Sequence, residues 1–302
     1  MTTVTYTALD LHGNTVGASF TVTVEDTEAA SFTAFPADLV VTGDAGSCGA
    51  TVTWDEPTAT DPCGISEVSA DFANGSFFPV GTTAVTYTAT DLHGNLTTAS
   101  FSITVEDDEV PTIVGLPADI TVDSSPEACG ATVNWDPASA LDNCVVASLS
   151  ADFPSGSFFS VGDTVVTYTA TDVHGNFATA TFTVTVVDTT LPSFGALPGD
   201  ILLSNQPGAC TAIADWIAPA ATDDCGIATI TADAAPGDAF PVGTTVVTYT
   251  ATDVHGNEAT ASFTVTVADD EAPTCAALPT DLSVGADAGS CGALVSWVAP
   301  TA

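Results

Sequence analysis

Apolar and threonine positions alternate along most of this chain. In the stretch Ala118–Asp123, Ile120 and Val122 flank Thr121, and in Gly130–Trp135, Ala131, Val133 and Trp135 alternate with Thr132 and Asn134. Two longer runs, Val165–Asp172 and Phe177–Val186, alternate apolar residues with Thr in the same way. A period of two filled with β-branched residues marks strands with one face buried and one face wet. No helical period interrupts the pattern, and Pro and Gly stand at every junction between runs.

The pattern recurs. The four Trp (Trp54, Trp135, Trp216, Trp297), the four Tyr (Tyr6, Tyr87, Tyr168, Tyr249) and the four His (His12, His93, His174, His255) each step by 81 residues. The 302 residues therefore divide into three complete units at 26–106, 107–187 and 188–268. They are flanked by the last part of a unit at 1–25 and the first part of one at 269–302, so the chain reads as a window of a longer protein. About seven short strands per unit fit an antiparallel β-sandwich of immunoglobulin or fibronectin type III kind, and the repeat predicts a linear rod of such all-β sandwiches. The alternation points Trp135 into the core, and Tyr168 falls where sandwiches place a corner-forming tyrosine. A further reading of the ends lets residues 1–25 and 269–302 of neighbouring copies complete one domain by strand addition.

Eight cysteines are present, and six of them fall in pairs fifteen positions apart within one unit: Cys48 and Cys63, Cys129 and Cys144, Cys210 and Cys225. This spacing predicts one disulfide per unit and an oxidising compartment. Zinc is the weaker reading, since no CxxC occurs. Cys275 takes the core position of Phe32, Ile113 and Phe194, as a free thiol or as a partner of Cys291.

Charge narrows the function. There are 38 Asp and Glu, no Lys or Arg, and a net charge of −38. Nucleic acid and anionic membrane are poor partners for such a surface. No apolar run approaches the length of a membrane span. Catalysis finds no serine elbow, no His–Cys pair and no phosphate-binding glycine loop, so the chain is read as no enzyme.

The segments "LPADITV", "CGATVNW", "FSVGDTVVTYTATDVHGN" and "ATFTVTVVD" together resemble the hyalin repeat (HYR) domain. The resemblance extends over the whole chain. It implies an extracellular or cell-surface location, a role in adhesion or scaffolding, and no known chemistry. Partners implied are neighbouring copies of the chain, other surface or matrix proteins, and glycans. The family's usual "DNCG" reads "DPCG" at Asp61–Gly64, "DNCV" at Asp142–Val145 and "DDCG" at Asp223–Gly226, and Pro62 removes a backbone donor.

Sandwich topology places the start of each unit, its middle loop and its last hairpin loop at one pole. The first unit then gathers Asp26, Glu28, Asp61, Asp91 and Asn95. The second gathers Glu106, Asp107, Asp108, Glu109, Asp136, Asp142, Asp172 and Asn176. The third gathers Asp188, Asp223, Asp224, Asp253 and Asn257. Carboxylates and amide oxygens are the hard ligands of Ca²⁺, which would stiffen the joint between consecutive domains. With no base to relieve them, neighbouring carboxylates repel. The third unit's linker is poorest in acid and is expected to bind metal least. The "DxHGN" loops also read as turns, in which Asp and Asn bond their own backbone. A lesser reading gives each His a transition metal or a pH-sensing role. Asn74 and Asn95 lie in N-glycosylation sequons. The function expected is a structural or adhesive fibre, stalk or matrix scaffold. The alternatives are an array of glycan- or protein-binding modules, or the spacer of a larger secreted enzyme.

Overall fold

A computed structural model describes residues 1–274, 278 and 280–300. The described residues contain strands and loops and no helix. They fall into two compact units, one of Met1–Asp119, Asn134–Ser155 and Val165–Thr183, the other of Ile120–Val133, Gly156–Thr164 and Val184–Ala302. The division passes through the middle repeat, so each unit contains one junction between repeats.

The first unit opens on a hairpin, Thr2–Leu9 against Thr15–Val22. The repeat that follows is a two-layer sandwich. One layer has four strands in the order Leu39–Thr42, Leu96–Glu106, Gly81–Asp91, Ile65–Ala70. The first pair is parallel and the other pairs are antiparallel. The facing layer is two short ladders, Ser31–Ala34 with Thr58–Thr60 and Gly49–Thr51 with Phe77–Pro79. Alternation fills the space between: Val85, Tyr87 and Ala89 from one long strand and Phe101, Ile103 and Val105 from the next are buried, with Thr and Ser between them. The same unit holds part of the second repeat, where Val146–Ala151 pairs with Tyr168–Asp172.

The second unit carries the parallel pairing of Ile120–Asp123 with Val184–Val187 and a third sandwich built like the first. Its four-stranded layer runs Ile201–Ser204, Glu258–Ala268, Gly243–Asp253, Ile227–Ala232. Among the described residues of 269–300 no strand forms. Cys275 lies outside the described residues, and Cys291 is exposed and unpaired.

Tryptophan and tyrosine face inward as the alternation requires. The indole N–H of Trp54 donates to the Tyr87 hydroxyl at 2.8 Å, with equivalents from Trp135 to Tyr168 at 3.0 Å and from Trp216 to Tyr249 at 2.8 Å. Each bond satisfies an indole donor that burial would otherwise strand. Asp38, Asp119 and Asp200, each two residues after a proline in "FPAD", "LPAD" and "LPGD", accept backbone N–H groups of Ser102, Thr183 and Thr264. These bonds tie the loop before each parallel strand to the strand it joins.

Candidate functional site

The acid-lined pole assembles in each repeat from three loops. In the first, the carboxylates of Asp26, Asp61 and Asp91 come within 4.8 Å of one another. Asp91 closes the "DxHGN" turn: one oxygen accepts the backbone N–H of His93 and Asn95, and the other accepts the Asn95 amide at 2.7 Å. The Asn95 amide also reaches the Asp26 and Glu28 carbonyls, so it binds the turn to the incoming chain. Asp172 with Asn176 and Asp253 with Asn257 repeat this arrangement. The turn reading of these motifs is therefore what the geometry displays. Burial raises the pKa of Asp91, Asp172 and Asp253, but the amide and backbone donors outweigh it and hold all three below the ordinary carboxylate value.

The middle loop contributes a second turn. Asp61, Asp142 and Asp223 each use one oxygen to accept the N–H of the cysteine two residues on. Their other oxygens are buried without a hydrogen-bond partner, as are both oxygens of Asp224 and the Asn143 Oδ1. A buried, unpaired carboxylate oxygen is costly unless something positive meets it. The histidine rings meet other carboxylates of the poles. His174 Nδ1 lies 2.9 Å from Asp107 and His255 Nδ1 lies 2.9 Å from Asp188, with both carboxylates buried. His93 Nδ1 stands 3.2 Å from Asp26 Oδ2 without hydrogen-bond alignment, so that oxygen remains unpaired.

The cysteines correct an expectation. Cys48 is bonded to Cys144 and Cys129 to Cys225, each pair 96 residues apart, rather than Cys48 to Cys63 or Cys129 to Cys144. Nor does Cys210 bond Cys225: Cys210 and Cys63 are free and exposed. Within one repeat an extended run carries the chain along the sandwich between the two cysteines, at about 3.3 Å per residue. The loop holding the first cysteine instead meets the middle loop of the next repeat. Cys63 sits among Asp26, Asp61 and Asp91, and these carboxylates, Asp26 foremost, push its pKa up.

Hydrogen bonds reinforce the same junction. The Glu109 carboxylate accepts the Gly46 N–H, and the Asn143 amide reaches the Ser47 carbonyl and Asp107. The Ser124 hydroxyl donates to Asp188 across the next junction. Gly46, Glu109, Val110, Thr112, Leu141, Asp142 and Asn143 line a pocket of about 210 Å³.

Not every predicted ligand joins a pole. Asp108 and Asp136 are exposed, and Glu109 is committed to Gly46. Glu28 contributes its backbone carbonyl. A cation at a pole would draw on the Asp26, Asp61, Asp142, Asp223 and Asp224 oxygens and the Asn143 carbonyl oxygen. These are hard donors of the kind Ca²⁺ takes, and water would complete the six to eight positions. The third pole has the most unpaired oxygens despite its acid-poor linker, because Asp224 replaces Asn143. The sequon asparagines are also committed. Asn74 Nδ2 donates to the Trp54 carbonyl and Asn95 Nδ2 donates as above, and a glycan on either nitrogen would displace those bonds.

No described helix is long and apolar enough to cross a membrane. Among known proteins, a Hyalin from Strongylocentrotus purpuratus is 40% identical over 276 residues, covering 88% of this chain and 23% of the relative. A Hyalin from Lytechinus variegatus is 38% identical over 320 residues, covering the whole chain and 59% of the relative. The chain thus spans less than two thirds of either. The solved structure of Sidekick-1 immunoglobulin domains 1-5 is 14% identical, covers 87% of this chain and 66% of that one, and superposes with a TM-score of 0.33. The HYR domain family model matches residues 26–105, 106–186 and 187–267. With that match over most of its length, this chain belongs to the HYR domain family.

Proposed function

We propose that this chain is part of an extracellular, non-catalytic adhesive or scaffold-forming protein whose joints Ca²⁺ stiffens at the acid-lined poles. Family membership and the likeness to two hyalins support the adhesive reading. The observation that carries the joint chemistry is the set of buried, unpaired oxygens on Asp61, Asp142, Asp223 and Asp224 in a chain without lysine or arginine. Bound there, Ca²⁺ supplies the positive charge that bridges these carboxylates. The Asx-type turns at Asp61, Asp142 and Asp223 fix the donor oxygens beside the cysteine of each joint, so ion binding and joint geometry are coupled. The partners that suit this surface are further copies of the chain, other surface or matrix proteins, and glycans.

Thermal melting at matched ionic strength tests the joint chemistry. Millimolar Ca²⁺ is expected to raise the midpoint above that in EDTA, by the linkage between ligand binding and folding. A midpoint indifferent to Ca²⁺ defeats the calcium part of this reading.

A further inference from the structure

We infer that the overlapping disulfides form a covalent bypass that carries tension past the folded repeats. Cys129 precedes Cys144, so the loop closed by Cys48–Cys144 overlaps the loop closed by Cys129–Cys225. A pull applied to the two ends follows the shortest covalent route. It runs along the backbone to Cys48, crosses to Cys144, returns over 15 residues to Cys129, and crosses to Cys225. The two segments Cys48–Cys129 and Cys144–Cys225, 81 residues each, lie off that route. They hold most of the sandwich strands of the first two repeats, including both long strands of each. Those strands can unfold without lengthening the chain.

The 15-residue return segment is short. Extended at about 3.3–3.6 Å per residue, it spans roughly 50 Å. Over the bridged region, that length and two disulfides set the limit of stretch. An independent bridge inside each repeat would behave differently, because it would remove only the 15 residues it closes. The same spacing thus gives beads that open one after another under one pairing, and a nearly inextensible ladder under the other.

Single-molecule stretching of the whole chain tests this, with and without reductant, since the total unfolded contour length reports connectivity. Reduction is expected to lengthen the fully stretched chain by roughly 160 residues, on the order of 550 Å. A gain of roughly 45 residues or less would mean that each repeat bridges itself, and would overturn the inference. In a Cys129→Ser chain, only the Cys48–Cys144 loop should remain, and the gain should fall to roughly 95 residues at the same length per residue. A gain unchanged by that substitution would also overturn it. The readout is independent of calcium and of adhesion, so it stands or falls apart from the proposed function.

Discussion

Carboxylates in this chain fix its loops by accepting backbone N–H groups. Asp71, Asp152 and Asp233 each accept a Thr N–H fifteen residues on, and Asp91, Asp172 and Asp253 each close a turn. Because these last three have folded pKa values below the unfolded one, their stabilisation is complete above the unfolded value of about 3.9. It is lost as pH falls through the folded value, so thermal midpoints are expected to drop steeply below about pH 4. An Asp172→Asn chain should show a shallower drop. At Asp224 the expected sign depends on the ion. With Ca²⁺ bound, Asp224→Asn removes a ligand and shrinks the Ca²⁺-dependent rise in midpoint. In EDTA the same change relieves a buried charge and raises the midpoint. A lower midpoint in EDTA would show that the carboxylate has a partner within the protein. Two swaps show local compensation. Gly49 and Gly130 face Phe77 and Phe158, whose rings and the next carbonyl an added Cβ would meet; in the third repeat the glycine becomes Thr211 and the phenylalanine becomes Ala239. Likewise Glu109 accepts Gly46 and Glu271 accepts Gly208, whereas the second junction has Thr190 and puts its acid at Glu127. Gly130→Ala should therefore destabilise, and Phe158→Ala should recover part of the loss. A double-mutant cycle should give a coupling of about 1 kcal/mol or more, and simple additivity would refute the steric account.

Strands were legible where they are long. The runs ending at Asp91, Asp172 and Asp253 alternate over eleven residues, and the alternation alone says which face is buried. The pieces that were not legible, such as Thr58–Thr60 and Phe77–Pro79, are three residues long and carry too little pattern to register. The pole was legible in outline, because sandwich topology brings the three loops together whatever their sequence. Which acids are free and which are committed was not, because that depends on donors such as the Asn95 amide. Cysteine spacing alone points to the wrong pairs for a related reason. Spacing within a repeat is visible, but the distance between the ends of a sandwich is a property of its strands. The Trp–Tyr bond offers a test at this scale, since it links the two layers of each sandwich. Tyr87→Phe leaves the buried Trp54 indole N–H without an acceptor and should cost about 1–3 kcal/mol in denaturant unfolding. A cost near zero would mean that water takes the place of the hydroxyl.

At the scale of the whole molecule, the joints hold the sequence together twice, once through the backbone and once through sulfur. Each bridge closes a loop of 96 residues, and in the chain-entropy model a loop of that size stabilises by about 4.7 kcal/mol, against about 3 for a 15-residue loop. Overlap has a further consequence for cleavage. One cut anywhere between Cys48 and Cys225 leaves the pieces joined, because a disulfide spans every such position. Cuts in both Cys48–Cys129 and Cys144–Cys225 still leave three pieces linked in series. Separating the two ends of the chain needs a third cut, inside Cys129–Cys144. Trypsin has no side chain to recognise here, so a glutamate-specific protease is the useful probe, with exposed Glu106 among its sites. After cleavage at Glu106, the product should migrate as one species without reductant and as two fragments with it. Bridges confined to single repeats would release both fragments without reductant, because no sulfur would then span residue 106.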